Sequence, residues 1–386
     1  MKQVISTERI PIKLWLDDME PGALAQAKNL ANLPFAFRHI PIMPDSHQGY
    51  GMPIGSILAT KGVVVPNAVG VDIGCGMCAI QTDIEFISQE NLKKILGLIR
   101  KTIPVGFNWH EEAQDASLLP EGHEELLIVG RQYVKALKQL GTLGGGNHFI
   151  EIQKGDDGFI WIMIHSGSRN LGYNVAKHYN NLANTLNERY FSSVAKNLEL
   201  AFLPIETPEA KDYLKEMNYC VEFALANRTL MLERVLNGIS EVIGDFSHGE
   251  MINESHNFVA WEHHFGHNVL VHRKGATRAY EGELGMIPGS QGTHSYIVRG
   301  LGNQQSFKSC SHGAGRKLGR KQAQRELNLK EEIDSLDKKG IVHSIRNTSD
   351  LDEAPSAYKD INIVMENQKD LVDIIVELSP LAVMKG

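Results

Sequence analysis

Glycine marks most of the turns in this sequence, and its distribution limits the folds and sites that the chain can form. Of the 36 glycines, 13 lie in four bunches, at 70–76, 141–146, 285–292 and 313–319, and each bunch stands next to a histidine, cysteine or aspartate. Because glycine lets the backbone bend tightly and approach a ligand closely, such loops typically carry chemistry on a rigid scaffold. The pattern therefore predicts several reactive loops held by a stable core.

Between the glycine-rich loops, hydrophobic periodicity predicts both helices and strands. Apolar residues recur at intervals of three and four at 22–33, 91–101, 124–140, 174–190 and 208–243, which indicates helices. Apolar or alternating runs at 55–59, 148–152, 159–164, 257–261, 269–272, 295–298 and 375–378 indicate strands. Because the strands do not alternate regularly with the helices, we expect a mixed α/β (α+β) fold rather than a simple doubly wound sheet.

The distribution of residues also suggests how the chain is divided. Hydrophobic residues make up 42% of the 386 residues, enough for a substantial core. The stretch 174–243 contains one glycine, Gly238, and one histidine, His178, whereas histidine-rich loops lie on either side. We therefore expect one large domain, 1–386, with a helical insertion or subdomain at 174–243 that supports the site or shapes a substrate groove.

Composition predicts a cytoplasmic protein with no membrane span. Four cysteines are few for this length, and the N-terminus lacks a charged and then apolar signal, so a reducing compartment is expected. No apolar run approaches the roughly 20 residues that a spanning helix needs. The net charge of −7 argues against a surface that coats nucleic acid generally, so any nucleic-acid site must be local.

His312 lies among small residues, in Ser-Cys-Ser-His-Gly-Ala-Gly-Arg at 309–316. Gly313 and Gly315 leave room for a phosphate, and a neutral imidazole could attack phosphorus and form a phosphoramidate. A metal ligand or a hydrogen-bonded turn histidine is the alternative. Five cations follow, and their spacing predicts a basic helical face, with an ordinary solvated helix as the alternative. They are Arg316, Lys317, Arg320, Lys321 and Arg325.

Five residues of metal-ligand type occupy glycine turns or strand ends. They are Asp72, Cys75, His148, His165 and His256. The set has too few sulfurs for a four-cysteine structural zinc site and is larger than one ion usually needs, so it indicates a catalytic centre in which a thiolate could bridge two ions. Each histidine alone could equally be structural, and the Cys75-x-x-Cys78 pair permits a weaker redox or zinc interpretation.

Eight ordered segments make the chain resemble the RtcB family of RNA-splicing and repair ligases. They are Pro-Asp-Ser-His-Gln-Gly-Tyr-Gly-Met-Pro-Ile-Gly at 44–55, Gly-Val-Asp-Ile-Gly-Cys-Gly-Met at 70–77, Gly-Gly-Gly-Asn-His-Phe-Ile-Glu at 144–151, His-Ser-Gly-Ser-Arg at 165–169, Ser-His-Asn-Phe at 255–258, Pro-Gly-Ser-Gln-Gly-Thr at 288–293, His-Gly-Ala-Gly-Arg at 312–316 and Met-Lys-Gly at 384–386. The segments run through nearly the whole chain.

The resemblance implies GTP- and Mn²⁺-dependent joining of RNA that carries a 2′,3′-cyclic phosphate or 3′-phosphate to RNA that carries a 5′-hydroxyl. It implies that His312 is guanylylated, that Asp72, Cys75 and His148 hold one Mn²⁺, and that Cys75, His165 and His256 hold the other. The mixed sheets would then surround a dinuclear metal centre. Asp45 and His47 in the first segment would organise the RNA terminus or the surroundings of the metals.

The resemblance also assigns the nucleotide contacts, with Glu151 suited to the guanine edge and Lys385 folded back onto the base. The implied contacts are Asn147, His148, Phe149, Ile150, Glu151, His256, Asn257, Pro288, Gly289, Ser290, Gln291, Ser295, His312, Gly313, Ala314, Gly315 and Lys385.

Two departures from the family pattern leave the RNA substrate open. The chain is somewhat shorter than familiar bacterial members, and Gln291 stands where many have methionine. Transfer RNA halves, cleaved ribosomal RNA and other damaged RNA all remain as substrates, and the need for an activating protein is open. The alternatives are a dinuclear phosphoesterase, which leaves His312 without a task, and an idle RNA-binding protein, which would have lost a ligand or the nucleophile.

Overall fold

The structure, a computed structural model, describes residues 1–386 and contains eight α-helices and seventeen strands. The helices are α1 (Pro21–Asn32), α2 (Gln89–Thr102), α3 (Leu127–Gln139), α4 (Arg169–Arg189), α5 (Pro208–Ile243), α6 (Arg320–Glu326), α7 (Leu329–Lys338) and α8 (Ile361–Glu366). The strands are β1 (Gln3–Ile5), β2 (Ile12–Leu14), β3 (Ile40–His47), β4 (Ile54–Thr60), β5 (Val63–Val64), β6 (Gly76–Gln81), β7 (Phe149–Gly155), β8 (Ile160–Ser166), β9 (Leu203–Pro204), β10 (Ile252–Ser255), β11 (Asn257–His264), β12 (His267–Lys274), β13 (Ala276–Arg278), β14 (Leu284–Ile287), β15 (Ser295–Gly300), β16 (Ser309–Ser311) and β17 (Val372–Lys385).

Two large sheets form the framework. One has the order β1-β2-β3-β4-β12-β11 and the other the order β10-β6-β8-β7-β17-β15-β14. Within these sheets only β2 and β3 pair in parallel. A single residue, His256, separates β10 from β11, so the two sheets are covalently joined at that point. The expected mixed α/β (α+β) fold is confirmed, and no doubly wound sheet is present.

The longest predicted helix has the predicted bounds because its ends carry clear capping residues. The Thr207 side chain accepts a hydrogen bond from the Ala210 amide, and Pro208 takes the first helical position, where its missing N–H costs nothing. Gly244 ends α5 with a φ of 92°. The other predicted helices are also present, and α4 begins at Arg169 rather than at 174.

The helix α5 connects two parts of the hydrophobic core. Its first half, including Tyr213 and Phe223, packs in a cluster with α3 and α4. Its second half, including Met231 and Val235, packs with α2 and the apolar face of the β7–β8 region. Whether 174–243 is a separate insertion stays a prediction. None of the helices is long and apolar enough to cross a membrane.

Candidate active site

A buried cluster of three ligand atoms lies where β6, β7 and β8 begin or end. The Cys75 sulfur lies 3.5 Å from Nε2 of His148 and 3.2 Å from Nε2 of His165. These three ligand atoms all lie within 4.8 Å of one another. The arrangement could hold a metal ion, since thiolate and imidazole are common ligands of transition metals.

The remaining two predicted ligands extend this cluster on either side. Oδ2 of Asp72 lies 3.2 Å from Nε2 of His148, and Nε2 of His256 lies 3.3 Å from Nε2 of His165. The structure thus brings all five predicted ligands together, in the order Asp72, His148, Cys75, His165, His256. Cys75 takes the central position.

The hydrogen bonds of the histidines point their Nε2 atoms at the cluster. Nδ1–H of His148 donates to the Leu143 carbonyl at 2.9 Å, and Nδ1–H of His165 donates to the Asn147 carbonyl at 3.2 Å. Such bonds fix the tautomer of a ligating histidine and leave the other nitrogen free. Burial lowers the pKa of His165 and His256 well below the usual range, which keeps both imidazoles neutral. Neutral imidazole is the form that binds metals.

Strand pairing and a close backbone approach place these side chains. In the antiparallel register, His165 of β8 lies opposite Met77 of β6 and Phe149 of β7. Gly76 must lack a side chain, because a Cβ there would lie 2.0 Å from the Glu254 carbonyl of β10. The His256 amide then donates to the Cys75 carbonyl at 2.8 Å, which ties the fifth ligand to the third.

Next to the cluster, His312 is held by a buried aspartate. Its Nδ1–H donates to Oδ2 of Asp45 at 2.6 Å, and its backbone amide donates to the same oxygen at 3.1 Å. Burial alone would raise the pKa of Asp45, but the charges of His312 and Lys359 and the hydrogen bond from His312 hold it below its usual value. In the neutral imidazole, the ionised carboxylate therefore favours the proton on Nδ1 and leaves Nε2 of His312 as the free nitrogen.

The glycine turn after His312 permits this contact. Gly315 has a φ of 73°, and a Cβ there would lie 2.0 Å from the Asp45 carbonyl oxygen. The ring of His312 lies 4.8 Å, between centroids, from the ring of His256. The histidine therefore stands beside the predicted metal ligands.

A cavity of about 660 Å³ opens beside His312, large enough for a nucleotide. The predicted contact residues that line it are Asn147, Phe149, Glu151, Pro288, Gly289, Ser290, Gln291, His312, Gly313, Ala314, Gly315 and Lys385. His165 and His47 also line it, so the cavity reaches the metal-ligand cluster.

One wall of the cavity is formed by Lys385, Phe149 and Glu151. In the register of β17 with β7, Lys385 lies opposite Phe149, and its ammonium stands 5.3 Å from the centroid of that ring. Burial raises the pKa of Glu151 to about 8, although the charge of Lys385 and a hydrogen bond from Gln153 oppose the shift. Glu151 is therefore largely protonated at neutral pH.

Five predicted nucleotide contacts do not line this cavity: His148 and His256 lie in the metal-ligand cluster, and Ile150, Asn257 and Ser295 lie elsewhere. Ile150 alternates with Phe149 and Glu151 along β7, so its side chain packs in the core on the opposite face. Asn257 donates to the Asp72 carbonyl at 3.1 Å and accepts from the Gly275 amide at 2.7 Å. Ser295 accepts from the Gly289 amide at 3.2 Å. In this structure Asn257 and Ser295 hold loops that border the site.

The prediction that a basic helical face begins at Arg316 is wrong. The helix α6 begins only at Arg320, because the backbone of Arg316 pairs with Tyr358 in an isolated bridge. The Arg316 guanidinium donates to Glu353 at 3.0 Å and stacks on the Tyr358 ring at 5.2 Å. This cation is therefore half-buried in an ion pair and does not form part of a solvated face.

Sequence reasoning missed Glu353, which organises this side of the cavity. The residue is 4% exposed, and its carboxylate lies 3.0 Å from Arg316, 3.4 Å from Arg320 and 3.5 Å from Lys385. The Glu353 carbonyl accepts a bond of 2.7 Å from the Gln291 amide. The surrounding Asp-Leu-Asp-Glu sequence resembles an ordinary acidic surface turn, so only the cluster of cations before it was a signal.

Comparison with known proteins gives one consistent result. The family model described as "RtcB: tRNA-splicing ligase RtcB" matches residues 26–386. The chain is 37% identical to the RNA-splicing ligase RtcB of Escherichia coli K12, over 100% of this chain and 99% of the relative. It is 31% identical to the tRNA-splicing ligase RtcB of Nanoarchaeum equitans, over 98% and 95%, and 31% identical to the RNA-splicing ligase RtcB of Mycobacterium tuberculosis, over 94% and 100%.

Proposed function

Because the chain belongs to the RtcB family of RNA-splicing ligases, we propose that it joins RNA ends in a reaction that depends on GTP and Mn²⁺ and proceeds through a covalent His312–GMP intermediate. The substrates are RNA with a 3′-phosphate or 2′,3′-cyclic phosphate and RNA with a 5′-hydroxyl. The proposal places the reaction in the cytoplasm, in RNA repair or transfer RNA splicing.

The observation that carries this proposal is the pairing of His312 with Asp45 beside the metal ligands. The buried carboxylate accepts a hydrogen bond from Nδ1–H of His312, with 2.6 Å between Nδ1 and Oδ2, and leaves Nε2 free to attack. A base or nucleophile oriented by a third group is the usual arrangement for covalent catalysis. A phosphoesterase that uses only metal ions would have no need of this pair.

The residues of the cluster fit two Mn²⁺ ions. Asp72, Cys75 and His148 would hold one ion, and Cys75, His165 and His256 the other, in agreement with the central position of Cys75. Burial and the neighbouring Asp72 raise the pKa of the Cys75 thiol well above its usual range, so an ion is needed to favour the thiolate. When bound, the ions would neutralise phosphate charge and favour departure of pyrophosphate.

The first chemical step is attack by His312 on the α-phosphorus of GTP. Nε2 forms a bond to phosphorus, the bond from that phosphorus to the bridging oxygen breaks, and pyrophosphate leaves. The Asp45 carboxylate stabilises the positive charge that develops on the imidazole, as the aspartate of a catalytic triad does. Gly313, Ala314 and Gly315 line the cavity, and their backbone amides are suited to donate to phosphate oxygens.

The later steps transfer the guanylyl group to RNA. Water opens any cyclic phosphate to a 3′-phosphate, and an oxygen of this phosphate attacks the phosphorus on His312, which releases the histidine. The 5′-hydroxyl of the second RNA then attacks the RNA phosphate, and GMP leaves. Arg320 and Lys317, which line the cavity, are suited to bind the RNA phosphates.

The guanine base would occupy the end of the cavity that Phe149, Glu151 and Lys385 line. Guanine offers the donors N1–H and N2–H₂, which suit a carboxylate. Since Glu151 is largely protonated when the cavity is empty, guanine binding would release its proton. The phenyl ring of Phe149 offers a surface for stacking.

Incubation with GTP labelled at the α-phosphorus, in the presence of Mn²⁺, tests the proposal. We expect acid-labile and alkali-stable label on the wild-type protein and none on His312→Ala. A 3′-phosphate RNA and a 5′-hydroxyl RNA should then be joined only by the wild type. Phosphate release from RNA without any labelled protein would instead support the phosphoesterase and reject the ligase.

A further inference from the structure

The long helix α5 carries an arginine whose charged group is completely buried beside the metal-ligand cluster. Nη1 of Arg228 donates to the Gly74 carbonyl and to the Ser166 carbonyl, both at 3.0 Å. Its Nη2 lies 3.4 Å from Oγ of Ser255. These three acceptors directly adjoin Cys75, His165 and His256 in the chain. One guanidinium therefore contacts the neighbours of three predicted ligands.

All the acceptors of Arg228 are uncharged. The fourth is Oδ1 of Asn253, which accepts from Nε at 2.7 Å. A buried cation is costly unless its surroundings compensate for the lost hydration. Four hydrogen bonds to backbone carbonyls and polar side chains supply that compensation, and they hold the guanidinium in one position beside the ligand segments.

The preceding residue on α5 connects the loops before His148 and after His165. Oδ1 of Asn227 accepts from the amides of Gly141 and Thr142, at 2.7 Å and 3.1 Å. Its Nδ2 lies 3.2 Å from the Thr142 carbonyl, from Oγ of Ser166 and from the Gly167 carbonyl. Every polar atom of this buried amide is therefore used to join two ligand loops.

We propose that Asn227 and Arg228 are positioning residues that set the geometry and the metal affinity of the dinuclear centre from the helix α5. The inference rests on the proposed metal centre. Neither side chain binds the metal; they fix the backbone that carries the ligands. Loss of partners that orient metal ligands typically weakens metal affinity by about 10- to 100-fold.

Titration of the metal-free full-length protein with Co²⁺ tests this role without using enzyme activity. Thiolate ligation to Co²⁺ gives charge-transfer absorption, and the ligand-field bands report coordination geometry. Arg228→Lys keeps the positive charge but cannot contact all four acceptors. We expect its Co²⁺ affinity to fall by about 10- to 100-fold, with altered ligand-field bands.

Arg234→Lys is the matched control. Arg234 lies on the same helix and also donates to backbone carbonyls, of Gly141 at 3.0 Å and Thr102 at 3.3 Å. Neither carbonyl belongs to a residue that is next to a predicted ligand in the chain. This variant should lose stability while its Co²⁺ spectrum and affinity stay close to those of the wild type. The comparison separates a role in the metal centre from a general role in holding α5.

The inference is overturned if Arg228→Lys binds Co²⁺ with the affinity and spectrum of the wild type. If Arg228→Lys does not fold, Asn253→Ala takes its place, and a wild-type affinity and spectrum in that variant are then decisive. This variant removes the Nε acceptor together with the bonds of the same amide to Leu225 and Thr229. Absence of Co²⁺ binding by the wild type would reject both the metal centre and this inference, whereas binding by the wild type and the variants alike rejects only the inference.

Discussion

One hydrogen bond determines which nitrogen of His312 can react. The Asp45 carboxylate accepts a hydrogen bond from Nδ1–H of His312, and it also accepts one from the backbone amide of His312. The second bond fixes the main chain, so both the tautomer and the direction of the ring depend on one buried oxygen. Reactivity at this site is therefore a property of the pair rather than of the histidine alone.

Replacing Asp45 by Asn should slow guanylylation of His312 while leaving the metal centre intact. An amide in this position can hold the wrong tautomer, and the corresponding change in a serine protease triad costs about 10⁴-fold in rate. We expect a loss on the order of 10² to 10⁴ in the single-turnover rate of labelling. Co²⁺ affinity should match that of the wild type. A labelling rate within twofold of the wild type would contradict the assigned role.

Glu151 should make the stability of the ligand-free protein depend on pH. Burial raises its folded-state pKa from 4.5 to about 8, so the folded protein holds a proton that the unfolded chain releases. The stabilising contribution is complete below about pH 4.5 and is lost as the pH rises through about 8. Between pH 5 and 8 the unfolding free energy of the wild type should fall relative to Glu151→Gln, by at most about 1.4 kcal/mol per pH unit. Denaturant unfolding at several pH values measures this difference, and parallel curves for the two proteins would refute it.

At the scale of elements, β17 serves both the sheet and the site. It pairs with β15 on one side and with β7 on the other, and its last paired residue is Lys385. Gly386 follows so closely against the Gly144–Gly146 turn that a Cβ would lie 1.8 Å from the Gly144 carbonyl oxygen. Gly386 is therefore held against this turn, which allows Lys385 to keep one position in the cavity.

Deletion of residues 385–386 should impair guanylylation and leave the fold intact. The deletion removes the end of β17, while its pairing from Val372 onward remains. Hydrogen bonds to charged groups contribute roughly 1.5–3 kcal/mol, so labelling at limiting GTP should fall by about 10- to 100-fold. Lys385→Met, which keeps the chain length, should show the same loss. Normal labelling of either variant, with a wild-type circular dichroism spectrum, would remove Lys385 from the site.

Across the whole molecule, the features that depend on local sequence were predicted better than the features that depend on contacts between distant residues. Periodicity and capping residues located α5, and the motifs supplied all five residues of the candidate metal-ligand cluster. The pairs that complete the site join distant positions, such as Asp45 with His312, 267 residues apart. The sequence around Arg228 and around Glu353 does not distinguish either residue from a charged residue on the surface. The predicted start of the basic helix was wrong for the same reason, since Arg316 pairs with Tyr358, which is distant in the sequence.

Metal removal should lower the stability of the whole molecule, because the proposed ligands adjoin or lie in strands of one large sheet and one of them also adjoins the other sheet. Cys75, His148 and His165 adjoin or lie in strands of the seven-stranded sheet, and His256 joins that sheet to β11 of the other. A ligand that binds only the folded state stabilises it by about 2.7 kcal/mol at 100 times its Kd. Calorimetry should therefore show a higher Tm for chelator-treated protein after Mn²⁺ is added back. Cys75→Ala, which lacks the central ligand, should show little of this increase. An equal increase in both proteins would place the stabilising ion elsewhere, and no increase in the wild type would argue against a structural coupling between the metal centre and the two sheets.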